Sequence, residues 1–262
     1  MSPSVLGVVP VRLASSRLPR KPLHPLLGRP LLEWVWRRVS GMALFDRVVV
    51  ATDAPEIREL CTSMGAPVEM TDPGHESGTD RVAEVVERPG FRDFPVIVNV
   101  QGDEPLILEE HLEAAVRLVR DVGWEVGTCG TPLGSPQALE DPSIVKLVGS
   151  ATGRALYFSR APIPHRRDGA PTSAELAASP FLRHVGIYVY QRDALLRWVG
   201  LPISPLEKLE RLEQLRALEA GIRIGFAVVH GAQSGVDTPD DVTRIERILA
   251  ELSDHPMATT DL

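Results

Sequence analysis

The chain has 262 residues, 44% hydrophobic and 24% charged, with a formal net charge of −7. That composition describes a globular protein with a substantial core and room for one large domain, and the acidity excludes long-range steering toward nucleic acid. Cys61 and Cys129 are the only cysteines and form no CxxC pair, which excludes a disulfide framework and a structural zinc site and suits a reducing cytoplasm. The N-terminus has no basic-then-apolar signal pattern and no run is long enough to span a membrane, so membrane insertion is not expected.

In chain order, strand-like and helix-like runs alternate. Val5 to Val9 reads as a buried strand. It runs into the loop Pro10–Leu23, which carries four cations, Arg12, Arg17, Arg20 and Lys21, and is stiffened by Pro10, Pro19 and Pro22. Pro30 to Val39 reads as a helix ending before Gly41. Val48 to Ala51 is a strand, followed by a helix with Asp53 as N-cap, Pro55 in its first turn and Gly65 past its end. Val68 to Met70 is a short strand. The polar loop His75–Arg81 opens a helix through Glu87, Val96 to Val100 is the strongest strand, and Glu109 to Val122 is the next helix. This βαβα rhythm predicts a mostly parallel sheet with helices on both faces.

The rhythm then changes. Val126–Cys129, Ile144–Val148 and Arg154–Phe158 are strand candidates with little helix between them, and Arg160 to Pro180 reads as irregular. Such a β-rich insertion suits a cap over a site or an oligomer interface. Val185 to Tyr190 returns as a strand and Arg192 to Val199 as a helix. Ser204-Pro205-Leu206-Glu207 is a capping box with proline at the first helical position, opening one helix that carries Leu206, Leu209, Leu212, Leu215 and Leu218 and stops at Gly221. Gly225 to Val229 is the last strand. Thr238 caps a closing helix with Pro239 at its start, and Ser253 to Leu262 reads as a frayed tail.

Chemistry-bearing residues fall at strand ends. In an open α/β sheet, loops at the C-terminal edge form the ligand crevice. The basic loop after the first strand is either a solvated surface loop or a site for an anion such as a nucleotide triphosphate. Asp103, in Gln101-Gly102-Asp103-Glu104-Pro105, and Asp237, in Gly235-Val236-Asp237-Thr238-Pro239, also follow strands. Each alone reads as a turn or capping residue. Together beside a cationic loop, they are the oxygen ligands that Mg²⁺ on phosphates would use. Ser77-Gly78-Thr79-Asp80-Arg81 is a helix start, serving either as a simple cap or as N–H groups for an anion. Strand alternation puts His184, Gly186 and Tyr188 on one face, as ordinary sheet residues or as contacts to a polar substrate. Glu213-Gln214 is either a solvated pair or, through Gln214, partly buried behind the leucine seam. No GxGxxG, Walker A or GxSxG pattern is present.

Arg12-Leu13-Ala14-Ser15-Ser16-Arg17-Leu18-Pro19 with Lys21-Pro22-Leu23, Ser77-Gly78-Thr79, Val98-Asn99-Val100-Gln101-Gly102-Asp103-Glu104-Pro105 and Ala155-Leu156-Tyr157-Phe158-Ser159-Arg160 together resemble the 3-deoxy-manno-octulosonate (Kdo) cytidylyltransferases. The likeness continues through Phe181-Leu182-Arg183-His184, Gly186-Ile187-Tyr188, Ser204-Pro205-Leu206-Glu207, Leu212-Glu213-Gln214-Leu215-Arg216 and Gly235-Val236-Asp237-Thr238-Pro239, covering nearly the whole chain in order. The resemblance implies an α/β, Rossmann-like three-layer nucleotidyltransferase fold. It would form a single domain over 1–253 with a β-rich dimerisation and acceptor insertion at about 124–190, followed by a flexible tail at 254–262. It implies a cytoplasmic homodimer that transfers CMP from CTP to Kdo with Mg²⁺, releasing pyrophosphate, for lipopolysaccharide synthesis.

By the same resemblance, Arg12 and Lys21 contact the triphosphate, and Pro10, Ser77, Gly78, Arg81 and Gln101 belong to the nucleotide pocket. Asp103 and Asp237 hold Mg²⁺, so that Arg12, Lys21, Asp103 and Asp237 form the catalytic set. Arg160, His184, Tyr188, Glu213 and Gln214 line the sugar-acid site, where a cation such as Arg160 suits the Kdo carboxylate. Two competing readings are a cytidylyltransferase for another acidic sugar, such as a sialic acid or an amino-substituted Kdo, and a non-catalytic nucleotide-binding module. The family's opening motif usually has Ala, Thr and Gly where this chain has Val11, Ser16 and Arg20. A positive φ at Arg20 would cost about 1–2 kcal/mol.

Overall fold

A computed structural model describes residues 3–15, 17–177, 180–233 and 235–254. Ser16 of the opening motif and residues 255–262 of the expected tail lie outside them. The chain divides into two compact units, one of residues 1–109 with 233–262 and one of residues 110–232.

In the first unit the strand Val5–Val11 is central. It pairs in parallel with Val96–Asn99 on one side and Arg47–Thr52 on the other, and Arg47–Thr52 pairs in parallel with Val68–Met70. Leu6, Val8 and Val9 are completely buried, as an apolar run must be when both faces of a parallel strand are covered. Val11 pairs with Thr52, and Val8 with Asn99. The basic loop, the turn at Asp53 and the segment 101–105 therefore leave the same edge of this sheet. Helices occupy Leu31–Ser40, Pro55–Ser63, Gly78–Glu87 and Pro239–Asp254. The second of these starts differently from the expectation, because its N-cap is Ala54 rather than Asp53. Ala54 gives its carbonyl to the first turn, while the Asp53 carboxylate pairs with Arg81 at 3.5 Å.

One apolar cluster explains why distant loops of this unit meet. Leu18 of the basic loop, Leu106 just after the 101–105 turn and Val236 beside Asp237 are buried together with Leu26, Leu31, Ile245 and Leu249. Burying each such side chain contributes about 1.5–3 kcal/mol, so the loops are held by their apolar residues and present their polar ones.

The second unit is largely antiparallel. Val126–Pro132 pairs antiparallel with Leu182–Gln191 and parallel with Ile224–Val228. Lys146–Gly149 pairs antiparallel with both Leu182–Gln191 and Ala155–Ser159. Two short helices, Pro136–Glu140 and Ser173–Ala177, stand in stretches expected to be strand connections and irregular chain. Leu139 and Leu176 bury themselves with Leu133 and Phe181, so packing on those apolar residues organises them. The long leucine helix expected from Ser204 to Gly221 is instead two helices, Pro205–Glu210 and Gln214–Glu219. Arg211 between them is left-handed, at φ 53°. Leucines at every third position drift around a helix, and the break lets Leu212 and Leu215 be buried while Leu209 faces solvent. Cys61 and Cys129 are free and buried, and burial pushes their thiols up to about 11 and about 12.

Candidate active site

Strand ends build the site of the first unit. A cavity of about 300 Å³ is lined by Pro10, Arg12, Lys21, Ser77, Gly78, Arg81, Gln101, Asp103 and Asp237, which is the whole nucleotide and metal set expected from the sequence. Lys21 is its hub. Its ammonium donates to Asp103 Oδ2 at 2.5 Å and to Asp237 Oδ1 at 3.0 Å. Burial by itself lowers the Lys21 pKa, but the two carboxylates outweigh it and hold the ammonium above its ordinary value.

The surrounding backbone is built to make this meeting possible. The Val236 N–H donates to the Asp103 carbonyl at 2.9 Å. A Cβ on Gly235 would sit 3.0 Å from that same oxygen, so any other residue would push the two segments apart by a few tenths of an ångström. Asp237 does not cap the closing helix. Thr238 and Asp241 do, with the Asp241 amide on Thr238 Oγ1 at 3.3 Å and the Asp241 carboxylate taking the Thr238 amide at 3.0 Å. That leaves the Asp237 carboxylate for cations, namely Lys21 and Arg17, the latter at 3.0 Å.

Ser77 caps its helix through a reciprocal capping box with Asp80. The helix start lies against the first strand's exit, since a Cβ on Gly78 would be 3.3 Å from Pro10 Cγ. Arg81 is buried, and its guanidinium is held by the Thr71 hydroxyl and by Asp53. Arg12, by contrast, is exposed at the cavity and makes no hydrogen bond or ion pair among the described residues.

Arg20 is left-handed, at φ 55°, as the N-cap of the 3-10 turn Lys21–Leu23. Its guanidinium forks onto the Glu56 carboxylate and takes no part in lining the cavity. Sequence reasoning missed Arg17, His75 and Glu76 as lining residues. Arg17 was signalled by its place in the basic loop. His75 carried no signal of its own, because its partner Glu84, 2.6 Å away, lies on the following helix.

The second unit holds the residues expected for an acceptor. His184 Nε2 and the Thr128 hydroxyl are 2.9 Å apart, the ring meets Phe158 edge-on at 4.9 Å, and Tyr188 lies 5.4 Å away. Burial, aided by the charge of Arg183, lowers the imidazole to about 3, so it is neutral. A bulge between Val185 and Tyr188 shifts the pairing register there. Tyr188 stacks on Tyr190 and meets Trp198 edge-on. Burial, Tyr190 and the carboxylate of Glu213 hold its hydroxyl well above its ordinary range. Gln214 is buried at the start of the helix after the break.

Arg160 is held by backbone carbonyls. Its Nε donates to the Glu210 carbonyl at 2.8 Å and its Nη1 to the Pro142 carbonyl at 2.9 Å. Sequence reasoning missed Glu210 and Thr128. Neither has a local signal, since one depends on a helix break and the other on strand pairing.

Asp103 and Asp237 can hold a divalent cation. Two carboxylate oxygens from separate strand ends already converge on a single cationic nitrogen, and no cluster of three His, Cys, Asp or Glu side chains occurs among the described residues. Such a donor set suits an oxygen-seeking ion that draws its remaining ligands from phosphates and water. No helix among the described residues is long and apolar enough to cross a membrane.

Comparison with known proteins identifies the family. Residues 6–224 match the family model described as cytidylyltransferase. The chain is 49% identical over 241 residues to the 3-deoxy-manno-octulosonate cytidylyltransferase of Gemmatimonas aurantiaca, covering 92% of each chain. It is 48% identical over 252 residues to that of Syntrophotalea carbinolica, covering 95% of this chain and all of the relative. Its fold matches a solved structure of CMP:2-keto-3-deoxy-manno-octonic acid synthetase complexed with CTP, with a TM-score of 0.86, 37% identity and 95% of this chain covered. A 4-diphosphocytidyl-2C-methyl-D-erythritol synthase from Anaerococcus prevotii, at TM-score 0.62 and 11% identity, shares the fold alone. An α/β nucleotidyltransferase fold, a cytidylyltransferase family match and close to half identity over more than nine-tenths of its length place the chain in the 3-deoxy-manno-octulosonate cytidylyltransferase family.

Proposed function

We propose that this protein transfers CMP from CTP to the anomeric hydroxyl of Kdo and releases pyrophosphate, activating the sugar for lipopolysaccharide synthesis. The observation that carries the reading is Lys21 clamped between Asp103 and Asp237 in a cavity also lined by Arg12 and Arg17. A triphosphate supplies oxygens for exactly such a cation set. Lys21 and the two arginines would exchange their carboxylate and water partners for phosphate oxygens, orienting the α-phosphorus. Asp103 and Asp237 would hold Mg²⁺, which when bound neutralises charge on the phosphates. In the reaction the anomeric oxygen forms a bond to the α-phosphorus, the bond from that phosphorus to the β-bridging oxygen breaks, and the hydroxyl proton is released. The protein's contribution is positioning and fixed charge rather than covalent chemistry.

For the acceptor, Arg160 would meet the Kdo carboxylate, while His184, Tyr188, Glu213 and Gln214 would contact its hydroxyls. A neutral His184 suits hydroxyl recognition, since it adds no charge to a site already holding an arginine. We further read the protein as a cytoplasmic homodimer joined through its β-rich region. The two buried free thiols suit a reducing compartment, and Leu156 is exposed on the terminal strand Ala155–Ser159. Pyrophosphate release measured with CTP against Kdo, an amino-substituted Kdo and a sialic acid tests the reading. Turnover highest with Kdo is expected, and no turnover with Kdo overturns it.

A further inference from the structure

We infer that Glu210 is a positioning residue for the acceptor site, holding Arg160 in the pose that receives the acceptor's carboxylate. This rests on the acceptor reading above. Glu210 grips the arginine from two sides. One carboxylate oxygen accepts the Ser159 hydroxyl at 2.5 Å, and the other accepts the Arg160 backbone N–H at 2.9 Å. Its backbone carbonyl accepts Arg160 Nε at 2.8 Å. Pro142 takes Nη1 at 2.9 Å. Lys146, fully buried, braces the same residue by donating to the Arg160 carbonyl at 2.5 Å and to the carbonyls of Asp141 and Ile144. The guanidinium plane is thereby fixed at Nε and Nη1. Nη2 makes no hydrogen bond or ion pair among the described residues. A rigid fork with an unspent edge is what planar recognition of a carboxylate requires.

The helix break supplies this arrangement. A continuous helix would spend the Glu210 carbonyl on the Gln214 amide four residues on. The left-handed turn at Arg211 ends the helix at Glu210 and frees that carbonyl for Arg160. The two helices flanking the turn are tied across it by the Glu207–Arg216 pair, a fork with contacts of 2.8 and 2.7 Å. A strained backbone held in place by a buried ion pair, and put to use by a neighbouring arginine, fits storage of strain at a functional site.

Steady-state kinetics of Glu210→Ala and Glu210→Gln, with CTP and Kdo varied separately, test the role. Misplacing the arginine should raise the KM for Kdo in Glu210→Ala about tenfold or more, with the KM for CTP unchanged and the Tm lowered by a few degrees, since the Ser159 hydroxyl and the Arg160 N–H lose their acceptor. Both variants keep the backbone carbonyl that accepts Nε and differ only in side-chain acceptors of the Ser159 hydroxyl and the Arg160 N–H, so Glu210→Gln, which keeps one, should fall between. A KM for Kdo equal to that of the parent protein in both variants overturns the inference, as does an equal rise in both KM values. Failure of the unaltered protein to use Kdo overturns the acceptor reading instead. The position of Arg160 in a crystal structure of Glu210→Ala then decides independently: a displaced guanidinium supports the role of Glu210, and one still seated on the Pro142 carbonyl overturns it whatever the acceptor.

Discussion

The candidate sites of the two units hold their polar residues in opposite ways. In the first, full charges lie on loops at the ends of parallel strands and neutralise one another, Lys21 against Asp103 and Asp237, Arg17 against Asp237. In the second, an antiparallel strand and a broken helix carry groups that are neutral or held by backbone carbonyls, His184 and Tyr188 among aromatics and Arg160 on Glu210 and Pro142. A set of mutually paired charges can trade partners when a highly charged ligand arrives. A set fixed by burial and backbone hydrogen bonds keeps its shape and selects. The first suits a triphosphate, which every cytidylyltransferase shares, and the second suits a particular sugar.

The sharpest way to break this contrast is Asp103→Ala. Removing a fixed charge beside the reacting phosphate should lower pyrophosphate release by about 10²–10³-fold or more. The Tm should stay within a few degrees, because the Asp103 side chain is 29% exposed and its pair with Lys21 is not deeply buried. A variant that keeps most of its rate removes Asp103 from the machinery.

The second contrast is in pH dependence. His184 is lowered to about 3 from 6.5, so between those values the unfolded chain binds a proton that the native state refuses. Stability therefore falls as pH drops below 6.5, by up to about 1.4 kcal/mol per pH unit. His184→Phe should flatten the slope of Tm against pH between 6.5 and 5, and an unchanged slope means the imidazole is not enclosed. Lys21 has the opposite sign. Its raised pKa contributes stability that is present below its ordinary value of 10.5 and lost as pH climbs through the folded value. Lys21 thus stays protonated, and its contribution constant, over the acid range in which His184 weakens the fold.

The smallest effect concerns Arg20. Arg20→Gly relieves about 1–2 kcal/mol of left-handed strain. It also gives up an exposed ion pair with Glu56 worth less than about 1 kcal/mol and loosens the unfolded chain by a similar amount. Thermal unfolding should shift by no more than a few degrees, with kcat/KM unchanged. A tenfold loss of activity would show that the arginine reaches the nucleotide.

Much of the first unit was legible from local patterns. A valine run ending in a cationic loop, and two aspartates at later strand ends, are enough to assemble the site once a parallel sheet is assumed, because such a sheet puts those ends on one edge. The second unit was less legible. The capping box at Ser204 and the helix Arg192–Val199 were local and readable. The break at Arg211 was not, since no glycine or proline marks it and the leucine spacing continues through it. The roles of Glu210 and Thr128 followed from that break and from strand register, neither of which leaves a local trace.

Sequence by itself determined the family, the strand and helix order of the first unit and the identity of the charged set, because each rests on short-range pattern and residue type. Tertiary structure decided which carboxylates share a cation, why Asp237 is left free by Thr238 and Asp241, that Arg20 turns to Glu56, and that Arg160 rests on Glu210. Those outcomes depend on apolar side chains such as Leu18, Leu106 and Val236 gathering from distant parts of the chain. The pairing of polar groups is settled only after that burial brings their backbones together.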